Sequence, residues 1–192
     1  ERPITIVEET KRPVPLKHYL FHPKAGIFSQ HRLKQVAKRF SEQSRNRNFK
    51  RRDDTELLNS IINDNNLPAL YFCFSRKLTE SKARSTARNR SLTSKDEREQ
   101  FEAIWQQAKG EFQFNDERGA MADLHDILER GIGYHHAGML PQQKEIVERL
   151  FSKALIKLLY TTETFAMGIN MPARCVVFDS LMKFDGIDFD YM

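Results

Sequence analysis

Apolar residues along this chain fall into two kinds of pattern. Short unbroken runs stand at Ala69-Leu70-Tyr71-Phe72-Cys73-Phe74, Ile132-Gly133-Tyr134-His135, Ile156 to Tyr160 and Cys175 to Phe178. Runs this short, rich in aromatic and branched side chains and bounded by turn residues, predict strands covered on both faces. Elsewhere the spacing is helical. Leu33, Val36, Ala37 and Phe40 mark a helix within 28–40, and Leu57, Leu58, Ile61 and Ile62 mark another over 55–62 that Asp54 can open. Ser94-Lys95-Asp96-Glu97 reads as a capping box ahead of Phe101, Ile104, Trp105 and Ala108, because serine and glutamate side chains there can satisfy the first free amides reciprocally. At that spacing Trp105 packs inward rather than stacking on a base. Met121, Leu124, Ile127 and Leu128 line a helix stopped by Gly131, and Ile146, Val147, Leu150 and Phe151 line one with Pro141 in its first turn. Strand and helix alternate from residue 69 onward, which predicts a mostly parallel sheet with helices on both faces.

The remaining stretches break both patterns. Pro13 and Pro15 exclude a helix from Lys11 to Phe21, since proline removes a donor and pushes its neighbour into extended geometry. Ser41 to Asp53 is polar, basic and without period, a surface loop that is either a solvated linker or an electrostatic arm. Lys82, Arg84, Arg88 and Arg90 then precede the acidic cluster Asp96, Glu97 and Glu99. The organisation expected is an extended lead-in over 1–25 and one α/β domain over 26–192, with 41–53 and 77–118 as loop or helical insertions.

Composition narrows the class. No apolar run approaches the roughly 20 residues that a membrane helix needs. Cys73 and Cys175 both sit inside strand-like runs and read as buried hydrophobes rather than disulfide or metal partners. An intracellular protein is expected, cytoplasmic with the nucleus left open. A net charge of +5 and a pI near 9.2 suit a polyanion without identifying one. The chain opens at Glu1 rather than methionine and stops soon after a strand, so a longer parent is expected.

Loops at the carboxyl ends of parallel strands are where open α/β sheets bind ligands. Three such loops carry suitable groups. After Tyr160 the chain breaks into Thr161-Thr162-Glu163-Thr164, with Gly168 and Pro172 before the next strand. Ser75 and Arg76 follow the strand at 69–74 and offer a hydroxyl and a planar cation, or else a helix cap with a flanking charge. His135 and His136 invite a metal reading, but consecutive strand residues face opposite ways, so no metal site is expected. The chain carries no GxxxxGK[ST] run and no DExH-type run, and Asp116-Glu117-Arg118 lacks a preceding apolar strand, whereas a complete nucleotide motor needs a P-loop and a metal-binding carboxylate. Hydrolysis of ATP by this chain alone is therefore not expected.

The string TTETFAMGINMPAR, preceded by GIGYHHAGMLPQQKEIVERLF, resembles the second RecA-like domain of superfamily-two DExH-box RNA helicases, and within them the superkiller-type subgroup. The match spans most of 131–178, and weaker resemblance covers Lys11 to Phe21 and Pro68 to Glu80. It implies a RecA-like three-layer α/β domain, the C-terminal motor domain of an ATP-dependent RNA helicase, with the family's arginine-bearing motif VI beyond this chain's end. It implies that Thr162 holds an RNA phosphate and that Gly168 allows close approach. Asn170 stands where many relatives place an aspartate on the ATP ribose, so Gly168 and Asn170 become the ATP-side residues. Ser75 and Arg76 correspond to a loop touching the nucleic-acid backbone, and His136 and Gly138 to a turn beside its path. No catalytic residue and no metal ligand are implied for this chain. The cofactor implied is ATP, with Mg held mainly by the first motor domain. The partners implied are single-stranded RNA, that first domain in cis and an RNA-degradation complex, with no membrane. The other reading is a standalone basic α/β module that holds RNA or a protein without turnover. An upstream P-loop in the parent gene would separate the two.

Overall fold

The structure, a computed structural model, describes residues 15–22, 24–41, 54–163, 172–180, 182–184 and 189–191. It divides the chain into two units, Glu1–Asp64 and Asn65–Met192. In the first, β1 (Tyr19–His22) and β2 (Gly26–Ser29) form an antiparallel hairpin. Gly26 takes a φ of +70° at its turn, a conformation that costs glycine little and other residues more. The boundary expected near residue 25 falls inside this turn. Phe28 also departs from expectation. It pairs with Leu20 across the hairpin and is buried there, serving the period of a strand rather than that of a helix. The helix expected from residue 28 begins later, as α1 (Leu33–Ser41), after a 3-10 turn at Gln30–Arg32. A second helix, α2 (Thr55–Asn63), buries Leu58 and Ile61 and packs against β2. Residues 42–53, most of the expected basic loop, lie outside the described residues.

The second unit runs β3 (Ala69–Phe72), α3 (Arg76–Asn89), α4 (Lys95–Phe112), α5 (Ala120–Leu128), β4 (Ile132–His135), α6 (Pro141–Ser152), β5 (Leu158–Thr161) and β6 (Cys175–Phe178). An antiparallel pair, β7 (Met182–Phe184) and β8 (Phe189–Tyr191), follows. Strands β4, β5, β3 and β6 form one parallel sheet in that order. Their register aligns four rows, from Ile132, Leu158, Ala69 and Cys175 at one end to His135, Thr161, Phe72 and Phe178 at the other. Alternate rows face opposite ways. The tyrosine row, Tyr134, Tyr160 and Tyr71, faces α3, where the hydroxyls of Thr86 and Tyr160 meet at 2.8 Å. The His135 row faces α6 through Glu148. The α/β layering expected from the sequence is thus present, with helices on both faces.

Of the stretch expected as an insertion, α3 is instead a layer of the core. Its buried residues are Thr79, Ala83, Thr86 and Ala87, all small, so close packing on the sheet leaves almost no hydrophobic signal. Helix α4 opens on the expected capping box, with the Glu97 amide donating to Ser94 Oγ at 3.2 Å and the Ser94 amide donating to Glu97 Oε2 at 2.8 Å. It packs on α5 through Phe101 and Trp105, whose rings lie 5.0 and 4.9 Å from that of His125. It also meets α6 through Arg149, which grips both oxygens of Glu111 at 2.7 and 2.8 Å.

Trp105 is fully buried and its indole N–H donates to Asp116 at 2.6 Å. Replacing it with alanine leaves a large cavity and leaves Asp116 with Lys109 but without its indole donor. Trp105→Ala is expected to lower stability by about 3–5 kcal/mol, read from the midpoint of denaturant unfolding. A change under about 0.5 kcal/mol, usual for a surface position, would contradict this packing.

Candidate functional site

The aligned register ends the four strands level, so the loops that follow them share one edge of the sheet. After β3 comes Ser75, extended at φ −146° and ψ 145°, as the N-cap of α3. Its Oγ accepts from the Leu78 amide at 3.1 Å, which satisfies one of the helix's orphan donors. A serine hydroxyl that accepts in this way can still donate to a second partner. Arg76 is the first residue of α3 and is exposed. Among the described residues it forms no ion pair, whereas Lys82 lies 3.0 Å from Asp179 and Arg84 lies 2.9 Å from Asp123. Two of this helix's basic side chains are therefore spent on internal pairs, while Arg76, Lys77 and Arg88 are exposed and form no ion pair among the described residues.

Beyond β4, strand alternation sends the two histidines to opposite faces. His135 Nε2 meets Glu148 Oε1 of α6 at 2.9 Å, and His136 Nε2 meets Glu80 Oε1 of α3 at 3.0 Å. His136 Nδ1 accepts from the Gly138 amide at 3.1 Å. A nitrogen that accepts carries no proton, so Nε2 holds it and donates to Glu80. The ring also stacks on Tyr134 at 5.8 Å and is 4% exposed. His136 thus orders the turn, and both its nitrogens are already committed. Burial pushes the His135 imidazolium below its usual range, against the opposing pull of Glu148.

Gly138 meets the loop after β3. A Cβ built on it would lie 3.2 Å from Arg76 Nη1 and 3.3 Å from Arg76 Cδ. Two residues picked out separately in the sequence are therefore neighbours. At the end of β5, Thr161 is buried, its Oγ 3.1 Å from the carbonyl oxygens of His135 and Thr162. The Thr162 amide donates to the His135 carbonyl at 3.3 Å, so Thr162 opens its loop from a fixed point beside the β4 tip. Gly168 and Asn170 lie outside the described residues. After β6, Asp179 accepts from Tyr71 Oη at 3.1 Å and pairs with Lys82. Neither Glu80, Glu148 nor this Lys82–Asp179 pair could be found from the sequence, because no local spacing joins partners so far apart in the chain.

Chemically the edge offers donors: a guanidinium, hydroxyls at Ser75 and Thr162, and the first-turn amides of α3. Such a set suits an anion with several oxygens, above all a phosphate. Among the described residues no group of three or more His, Cys, Asp or Glu side chains is placed to hold a metal ion. No described helix is long and apolar enough to cross a membrane.

Comparison with known proteins finds no matching family model, but several curated relatives. Superkiller complex protein 2 of Mus musculus is 35% identical over 98% of this chain. The Arabidopsis thaliana DExH-box ATP-dependent RNA helicase DExH9 is 34% identical over all of it. Exosome RNA helicase MTR4 of Homo sapiens is 32% identical, again over the full chain. The chain spans only 17% to 22% of the length of these relatives.

The depressed titration of His135 has a consequence for stability. As pH falls through about 6.5, an unfolded histidine takes up a proton while the buried one resists. The unfolded state then binds more protons, and stability declines with pH. Between pH 7 and 5, His135→Gln is expected to lose less thermal stability than the parent chain. An equal loss would place the acid sensitivity elsewhere.

Proposed function

The chain belongs to the superkiller-type DExH-box RNA helicases, and from that premise we propose that it is the second motor domain, gripping single-stranded RNA by its backbone along the carboxyl edge of the sheet. One observation carries the reading: level strand ends gather Arg76, the His136–Gly138 turn and Thr162 on a single edge. Arg76 supplies a fixed positive charge and two donors to one phosphate. The Thr162 hydroxyl supplies a donor from the adjoining strand end. The Ser75 hydroxyl and the α3 amides add donors without charge. Contacts of this kind hold a strand irrespective of its sequence, which suits a motor that must pass along it.

In the full-length protein this domain also forms one wall of the ATP cleft, through Gly168 and Asn170. ATP with Mg, held mainly by the first RecA-like domain, supplies the free energy that makes closure of the two domains directional. The present chain is the receiving half of that cleft and does not turn over ATP by itself. Its other partners in this reading are the first motor domain in cis and an RNA-degradation complex, in the cytoplasm.

The test is binding of fluorescent single-stranded RNA across a salt series. Arg76→Gln removes one phosphate-neutralising charge, so the slope of log affinity against log salt should become shallower by about 0.7. Thr162→Ala should lower affinity while leaving that slope unchanged, because it removes a neutral donor. Binding that ignores both substitutions would move the RNA away from this edge.

A further inference from the structure

Resting on the RNA-side role of Arg76, we propose that Gly138 is a positioning residue for the Arg76 guanidinium, acting through it rather than on RNA. The Arg76 side chain crosses the bare Cα of Gly138 so closely that an added methyl group would stand 3.2 Å from Nη1 and 3.3 Å from Cδ. The left-handed glycines among the described residues are Gly26, Gly119 and Gly131, so backbone conformation does not require glycine at 138. What a side chain at 138 would press on is Arg76.

The turn that carries Gly138 is fixed to the same helix that carries Arg76. The Gly138 amide donates to His136 Nδ1 at 3.1 Å, and His136 Nε2 reaches Glu80 at 3.0 Å. The Met139 amide closes the turn on the His136 carbonyl at 3.1 Å. Glu80 stands four residues after Arg76, one turn along the same face of α3. The His136–Glu80 bond therefore presses the turn onto the face that begins at Arg76, with Gly138 as its floor. The direction of the guanidinium is set jointly by the β3 and β4 loops.

Alanine at 138 keeps the amide N–H, so the bond to His136 survives. Its Cβ would lie 3.3 Å from His136 Nδ1 and tighter still against Arg76 Nη1. The Arg76 side chain is the freer of the two, because its group is exposed while the His136 ring is held at both nitrogens. Arg76 gives way first.

The first readout needs no RNA: the Arg76 Nε–Hε cross-peak in nuclear magnetic resonance spectra of the full chain. It is expected to move in Gly138→Ala and further in Gly138→Val, with the backbone amide spectrum preserved. It should not move in Gly110→Ala, where a Cβ would meet nothing within 4 Å. A cross-peak unmoved by both Gly138 variants, or moved equally by the Gly110 control, overturns the proposal. The second readout is RNA binding in a two-by-two set with Arg76→Gln. Gly138→Ala should weaken binding on the order of threefold in the parent, a partial loss of a charge-assisted contact, and add no loss once Arg76 is glutamine. An equal loss in both backgrounds overturns it, since Gly138 would then act without Arg76. If the cross-peak moves while Arg76→Gln leaves RNA binding intact, the positioning stands and the RNA role of Arg76 falls.

Discussion

Strand β5 pairs with β4 on one side and with β3 on the other, and all four of its side chains are buried. That double constraint leaves its register no freedom. A slip of one residue would turn Leu158 and Tyr160 from one face to the other and break every row of the sheet at once. Each large side chain so buried contributes about 1.5–3 kcal/mol of transfer free energy, so the aligned register is strongly favoured. Its consequence for function is geometric. Phe72, His135, Thr161 and Phe178 end in one row, and the polar loops beyond them open on one edge.

The β4 tip then ties the layers together. His135 engages α6 and His136 engages α3, each through a single carboxylate. The carbonyl of His135 also receives the Thr162 amide and the Thr161 hydroxyl, so the ends of β4 and β5 meet at one backbone group. Electrostatics divides the labour along α3. Lys82 and Arg84 are held by Asp179 and Asp123, and their charge belongs to the fold. Arg76 stands apart at the edge, where a polyanion can use it. The net charge of +5 could not have shown this division, since it counts structural and available cations alike.

Legibility in the sequence followed the range of the interactions. Strands β4 and β6 were readable to the residue, because unbroken apolar runs between turn residues leave little choice. The capping box of α4 was equally clear, since its two partners lie three residues apart. The helix within 28–40 is legible from Leu33 onward, where its marking residues begin, whereas Phe28 lies before them in β2. Helix α3 was mistaken for an insertion because it buries threonines and alanines under a basic exterior. The site was legible as separate loops after strands, and its resemblance to a known helicase domain tied Thr162, Ser75 and the His136–Gly138 turn to one function. What held those loops in place was not legible. The bond from His136 to Glu80 spans 56 residues, and the passage of Arg76 over Gly138 depends on two loops meeting across the end of the sheet.

The central claim is that the carboxyl edge of this sheet is where RNA lies. Ultraviolet cross-linking of single-stranded RNA to the chain, with the attached peptides located by mass spectrometry, tests it most directly. The account predicts cross-links in peptides that carry Ser75 and Arg76, the turn from His136 to Gly138, and Thr162. Cross-links confined to the hairpin and α1 of the first unit, or to the outer face of α4, would contradict it.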